Sequence, residues 1–295
     1  MSDELAERAA RWSLAPPALF DQARARAQRG AGVSMKIPVR RLAGGDMELP
    51  QVHGDPGRPL VVIDPGHGGR DPGAISPHGG QREKDVTLAV SLAIRDAIVA
   101  GGRARVALTR EDDSYVLLRD RFAIARRLEA DLFISVHADS APNPNARGAS
   151  IYTLSEVAST REAALLAARE NRADFISGID IGDEDRQVSS ILIDLAQRDA
   201  MAQSSDFADI LYREASDRVP FRDNHRHFAS FIVLKAPDIP SILFETGYLT
   251  QPRDLAYIHS PEGREAIAEG FAEAVRAYFA RRNFAARGAE GSGRS

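Results

Sequence analysis

The sequence predicts an open, mostly parallel twisted α/β sheet flanked by helices, with a helical insertion near the active site. Three observations carry this expectation. From Leu60 onward, short apolar runs alternate with helical stretches, as in sheets built from βαβ units. Residues able to do chemistry follow directly after three of those runs, where open α/β sheets build their sites. At 155–220 the rhythm breaks into two helical stretches with no strand between them.

The elements follow in order. Leu60-Val61-Val62-Ile63, ended by Asp64-Pro65-Gly66, reads as a strand buried on both faces. Asp85 is placed to cap a helix through Ala100, with Leu88, Ala89, Leu92 and Ala93 on its apolar stripe and Gly101-Gly102 as its stop. Strands are expected at Arg105–Leu108, Leu132–Val136 and Ala149–Leu154, with a helix over 117–130 between the first two. Within 155–220, Thr160–Phe175 is helical, Gly178–Asp185 is an acidic break, and Val188 to Arg218 is helical again. The apolar runs Phe231–Leu234 and Ile242–Phe244 complete the strand pattern. A last helix runs from Pro261, well suited to a first turn, to about Arg282.

The domain organisation expected is an irregular lead-in at 1–57, a catalytic domain at 58–283 and a disordered Gly/Ser/Arg-rich tail at 284–295. In the lead-in, Ala6–Trp12 and Pro17–Arg29 have helical composition. At 295 residues the chain can hold one large domain or two small ones. Its 38 basic and 42 acidic residues nearly balance, which gives no basis for nucleic-acid binding or for attraction to an anionic membrane. No segment reaches the roughly 18 uninterrupted apolar residues of a membrane span, and Met1–Ser13 is polar, without an export-signal pattern. Cysteine is absent, which excludes thiol nucleophiles and thiolate metal sites.

His67 follows the first apolar run, His137 follows Leu132–Val136, and Glu245 ends the run Ile242–Phe244. Glu83 stands just before a helix start. Two imidazoles and a carboxylate suit zinc while leaving a position for water, and a second carboxylate can shuttle protons. Taken singly each signal is weak: a lone His after a strand is more often a surface or satisfied core residue, and Glu83 suits a helix N-terminus whatever its role.

The segments VVIDPGHGGRDPGA, REKD, LTRED, LFISVHAD and VLKAPDIPSILFETGYLT, with the final helix, occur in one order over about 59–282. They resemble the motifs of the zinc-dependent N-acetylmuramoyl-L-alanine amidase family known as Amidase 3, and within it the periplasmic cell-division amidases of Gram-negative bacteria. The resemblance implies that His67, Glu83 and His137 hold Zn2+ and that Glu245 is the catalytic acid/base. It implies cleavage of the amide between N-acetylmuramic acid and L-alanine in peptidoglycan, for wall remodelling and daughter-cell separation in the periplasm. Asp139 stands where Asn is frequent in relatives, which puts only a local hydrogen bond in doubt.

In similar division amidases a helix of the insertion covers the zinc until an activator, a LytM-like protein of the division machinery, moves it. The corresponding helix here is Thr160–Phe175, with Glu170 as the acid that would plug the zinc and Glu162 behind it; surface decoration is the alternative. Arg82 and Arg119 are candidates to meet stem-peptide carboxylates, or are exposed ion-pair residues. His53 and His259 are expected at the surface, His78 in a glycine-rich loop, and His225 and His227 as at most an alternate metal pair. Tyr248 and Trp12 carry no interpretable signal. Two other readings of the chain remain: a zinc peptidase or small-amide deacylase, and a non-catalytic wall-binding module.

Overall fold

The sheet begins with a short strand, Val52–His53 (β1), and a fully buried one, Leu60–Pro65 (β2). The computed structural model describes residues 48–141, 143, 145–176 and 191–291. The helical stretches expected in 1–47, the break Gly178–Asp185 and residues 292–295 lie outside the described residues.

After β2 come the helix Glu83–Ala100 (α1), the strand Arg105–Leu108 (β3), the helix Leu118–Arg127 (α2), and the strands Leu132–Asp139 (β4) and Ala149–Leu154 (β5). The insertion then contributes Arg161–Glu170 (α3), Ala173–Ile176 (α4) and Ile191–Ala215 (α5). The chain finishes with Phe221–Ala229 (β6), a 3-10 turn at Ile232–Leu234, Ser241–Tyr248 (β7), Pro252–His259 (α6) and Pro261–Gly291 (α7). By compactness the chain divides into Ile37–Tyr278, which carries the sheet, and a second unit of Met1–Lys36 with Phe279–Ser295. The described part of the second unit is the end of α7.

The seven strands lie in the order β1-β3-β2-β4-β7-β5-β6. The central four, β3, β2, β4 and β7, are mutually parallel; β1 and β5 run antiparallel to their neighbours β3 and β7, and β6 is parallel to β5. The sheet is therefore open and mixed with a parallel centre. Both faces of that centre are covered, as parallel strands require. Leu60, Val62, Phe133, Tyr152 and Leu243 meet Leu118 and Ala125 of α2, Ala163 and Leu166 of α3, and the 3-10 turn on one face. On the other, α1 packs against β2, β3 and β4, and Phe244 of β7 meets Phe271 of α7 edge-on at 5.0 Å.

Four local readings need correction, the first being the start of α1, where Arg82 and not Asp85 is the N-cap. The buried stripe of α1 is Val86, Val90, Ile94 and Ile98, so Leu88 and Leu92 are not on it. The β-branched residues, at every fourth position, make the flatter face against the sheet. Phe231–Leu234 is not a strand, because its residues 232–234 turn into a 3-10 helix. The strand comes just before it, in the polar segment Phe221–Ala229. That strand is at the sheet edge with most of its residues not buried, so it carries no apolar alternation to read. The last helix also runs on past Arg282, to Gly291.

Candidate metal centre

The loop leaving β2 is held by buried ionic bonds. Asp64, fully buried, accepts from Thr109 Oγ1 at 2.6 Å, Ser135 Oγ at 2.8 Å and Arg121 Nη1 at 2.9 Å. Burial alone would raise the pKa of its carboxyl, but Arg121 and the two hydroxyls more than offset this and hold it below the usual range. Arg121 also bonds Pro65 O and His67 O, both at 2.9 Å, while Arg110 bonds Pro65 O, Gly66 O and Lys84 O at 2.8–3.0 Å. Two buried guanidinium groups thus take up carbonyls that the loop could not satisfy by itself. Burial, and then the charge of Arg121, push the Arg110 pKa down to about 10.

This clamp sets His67. The residue sits at φ 61°, a left-handed conformation that costs a non-glycine residue free energy and needs surrounding bonds to persist. Its Nδ1 meets Asp71 Oδ2 at 2.8 Å, which leaves Nε2 directed the other way. His137 enters from within β4 rather than after it, and Gly66 makes room: a Cβ there would lie 2.5 Å from the His137 ring. The two rings meet edge-on with centroids 5.0 Å apart.

Glu83 is the first residue of α1 and is 1% exposed. Its Oε2 accepts from Ala74 N at 2.7 Å and its Oε1 from Ala138 N at 2.9 Å. The same Oε1 lies 3.1 Å from His67 Nε2 and 3.2 Å from His137 Nδ1. Burial would raise the Glu83 pKa, but the facing imidazoles bring it well below the usual carboxylate range.

Glu170, the last residue of α3, reaches the same pair of nitrogens. Its Oε2 lies 3.3 Å from His67 Nε2 and 3.4 Å from His137 Nδ1, and it is 5% exposed. Thr160 caps the helix, accepting from Ala163 N at 3.0 Å. At the other end, Arg169 Nη2 grips Glu170 Oε1 at 3.0 Å and bonds the Asp139 carboxylate. Despite burial, the two imidazoles bring the Glu170 pKa down to about 2. Burial raises that of Asp139 to about 6, with Arg169 opposing.

His67, His137 and Glu170 are the set whose donor atoms all lie within 4.8 Å of one another. The set expected from the sequence had Glu83 in place of Glu170, and Glu83 also touches both imidazoles. The residues fit a divalent cation by two observations. His67 Nε2 is buried and, among the described residues, has no hydrogen-bond partner although two carboxylates are near it. Donors about 2.0–2.1 Å from a tetrahedral zinc stand about 3.3–3.4 Å apart, and the four imidazole–carboxylate separations run from 3.1 to 3.4 Å.

Glu245 lies within β7, paired in register with His137 on one side and Ser150 on the other. It is 2% exposed, and neither carboxyl oxygen has a hydrogen-bond partner among the described residues. Burial, followed by the charges of Asp139, Glu83 and Glu170, raises its pKa well above the ordinary value. A buried carboxyl without hydrogen-bond partners among the described residues is suited to exchanging a proton with a bound substrate.

The two arginines expected near substrate are not drawn into this cluster. Arg82 is half exposed and paired with Asp85 at 2.8 Å. Arg119 is half-buried on the first turn of α2. Among the histidines left aside, His53 meets Glu111, His78 bonds Thr250 O, His225 stacks on Tyr212 and His227 on Tyr152. Asp64, Asp71, Arg110 and Arg121 were not singled out from the sequence. The first three stand inside the quoted segments VVIDPGHGGRDPGA and LTRED, so the motifs held the signal; for Arg121 none was present.

Comparison with known proteins bears on the same region. A family model described as N-acetylmuramoyl-L-alanine amidase matches residues 61–277. The amidase AmiA of Escherichia coli is 38% identical over 224 residues, covering 76% of this chain and 77% of its own. AmiC of Neisseria meningitidis is 37% identical over 227 residues, covering 75% of this chain and 53% of its own, so the chain spans about half of that relative. Among solved structures, the amidase AmiC2 of Nostoc punctiforme superposes with a TM-score of 0.57 at 28% identity, covering 76% of this chain and 99% of that one. The catalytic domain of CwlV from Bacillus (Paenibacillus) polymyxa has a TM-score of 0.56 at 23% identity, over 75% of this chain and 98% of that one, a likeness of fold.

Proposed function

The chain belongs to the N-acetylmuramoyl-L-alanine amidase family and is a peptidoglycan amidase, and we propose that it works as a zinc enzyme held in check by its own inserted helix. The catalytic domain is 58–283, and the insertion at 155–220 is its regulatory part. His67, Glu83 and His137 hold the zinc, and Glu245 is the acid/base. The observation that carries this reading is the convergence of two imidazoles and two carboxylates at 3.1–3.4 Å, with a buried carboxyl on the neighbouring strand that has no hydrogen-bond partner among the described residues.

A bound zinc supplies Lewis acidity, polarising the amide carbonyl and acidifying water. The residues do the rest. Asp71 keeps the proton of His67 on Nδ1 and presents Nε2 as a lone pair. Ala138 N and Ala74 N hold the Glu83 carboxylate in one orientation. Glu245 takes a proton from the attacking water and delivers it to the alanine nitrogen as the C–N bond breaks. The muramoyl lactyl group leaves as a carboxylic acid and the stem peptide as an amine.

Glu170 stands on both imidazoles, so while α3 is docked it occupies space that water and substrate need. Moving α3 is then the activating step, and we assign it to a LytM-like partner of the division machinery. The role is daughter-cell separation in the periplasm. Arg82 and Arg119 remain proposed contacts of the stem peptide, Arg82 by exchanging its solvent-facing pairing with Asp85.

The test is digestion of purified peptidoglycan by zinc-loaded protein, with products read by mass spectrometry. Stem peptides beginning with L-alanine are expected, and a Glu245→Gln variant should retain zinc yet lose about 100-fold or more in rate, as loss of acid/base catalysis does. Cleavage elsewhere in the stem, or full activity of Glu245→Gln, overturns the proposal.

A further inference from the structure

We propose that Arg222 and Tyr248 form a carboxylate-binding subsite for the stem peptide, and that Glu162 of α3 fills it as a substrate mimic. The inference rests on the reading of α3 as an inhibitory plug on a peptidoglycan amidase.

The subsite is built before any peptide arrives. Arg222, at the start of β6, lies over the Tyr248 ring at 5.5 Å and bonds its hydroxyl. Its side chain is 20% exposed. Tyr248 ends β7, three residues past Glu245, and is itself buried at 2% exposure. Its register partner on β4 is Asp139, two residues past His137. The Arg222–Tyr248 pair therefore flanks the candidate centre along the same strand ends.

Glu162 occupies this pair as a ligand would. Its Oε1 accepts from Arg222 Nη1 at 2.7 Å and from Tyr248 OH at 3.1 Å, while Oε2 faces Arg222 Nη2 at 3.3 Å. A forked guanidinium with a phenol beside it matches the geometry of a carboxylate, and an isolated surface ion pair seldom has both. The bond to Arg222, before any other influence, holds the Glu162 carboxyl below its usual range.

The spacing links the two seats. Glu162 and Glu170 are eight residues apart on one helix, a rise of about 12 Å. An extended peptide covers that distance in about three to four residues. A peptide with its scissile amide near His67 and His137 therefore brings a free carboxylate of its third or fourth residue to Arg222 and Tyr248. By this account α3 blocks both ends of the cleft, with Glu170 at the reacting centre and Glu162 at the far subsite.

The experiment uses the full chain with Glu162→Ala and Glu170→Ala together, so that neither acid of α3 occupies its seat. Two muramoyl peptides are compared that differ only in whether that distal carboxylate is free or amidated. The free acid should be preferred by about tenfold or more, through KM rather than kcat, as expected for a lost charged hydrogen bond. Adding Arg222→Leu should abolish the preference, and Arg222→Lys should restore part of it. Titration of the released stem peptide into zinc-free protein should show the same discrimination in binding. If Arg222 served structure only, both substrates would suffer alike. Equal use of the two peptides, or a preference that survives Arg222→Leu, overturns the subsite. Failure of the double variant to cleave either peptide would instead sink the plug reading, and the peptide titration would still decide the subsite.

Discussion

Deleting the Asp71 carboxylate tests the centre at the point where its geometry is set. Asp71 is 2% exposed and makes two bonds: Oδ2 to His67 Nδ1 at 2.8 Å, and Oδ1 to Gly73 N at 3.1 Å. The first fixes which nitrogen of His67 carries the proton; the second shapes the turn under Glu83, where a Cβ on Gly73 would come within 2.6 Å of the Glu83 side chain. Partners of this kind behind a metal-binding His are worth about 10- to 100-fold in affinity, or about 1.4–2.7 kcal/mol. Asp71→Ala should weaken zinc binding by that factor. Asp71→Asn keeps an acceptor oxygen without the charge and should fall between the variant and the parent. Competition with a chromophoric chelator measures the affinity, and thermal unfolding of the metal-free proteins checks that all three are folded. A folded Asp71→Ala protein whose affinity stays within about threefold of the parent would refute the assignment of His67 Nε2 as a ligand atom.

Glu170→Ala should raise hydrolysis in the absence of any partner by about 5- to 150-fold, the range of a coupling free energy of about 1–3 kcal/mol; a dye-release assay on labelled peptidoglycan reads it, and unchanged basal rates count against the plug. Arg121→Leu removes the counter-charge of buried Asp64 and four hydrogen bonds, to Val116 O, Pro65 O, His67 O and the Asp64 carboxylate. It should cost about 3–5 kcal/mol in urea unfolding, a large share of the roughly 5–15 kcal/mol available to a domain. The pKa of Asp64 is lowered on folding, so its contribution is full above the usual carboxylate range and is lost as pH falls through the folded value. Urea midpoints taken from about pH 7 down to pH 3 should therefore decline less steeply for Asp64→Asn than for the parent, and parallel curves would contradict the assignment.

The parallel centre of the sheet was legible because buried strands leave a compositional trace. Leu60–Ile63, Arg105–Leu108, Leu132–Val136 and Ile242–Phe244 are short runs rich in β-formers, and each lies in a strand. β6 was not legible for the converse reason. As an edge strand it buries only His227 and Ala229 of its nine residues, so selection for burial left the segment FRDNHRHFA polar. In α1 two apolar sets compete, Leu88, Ala89, Leu92 and Ala93 against Val86, Val90, Ile94 and Ile98, and the second is the buried one. Which stripe meets a sheet is decided by shape, which composition does not record.

The candidate centre divides along a similar line. His67, His137, Glu83 and Glu245 are picked out by the sequence because each follows an apolar run or stands at a helix start, although His137 and Glu245 lie within their strands. What orders them could not, because orientation is settled by partners far along the chain: Arg121 reaches His67 O across 54 residues, and Ala138 N reaches Glu83 across 55. The same holds for Glu170. On an Ala-rich helix it looks like any solvated acid, and only docking of α3 against the sheet puts it on two imidazoles and drives its pKa down to about 2. A charge buried at this depth persists only while its counter-charges remain in place. The helix and the centre are consequently one electrostatic unit. The Glu170 carboxylate of docked α3 meets the same two imidazole nitrogens that Glu83 faces, so on the proposed reading displacement of α3 also changes the donor set offered to a cation.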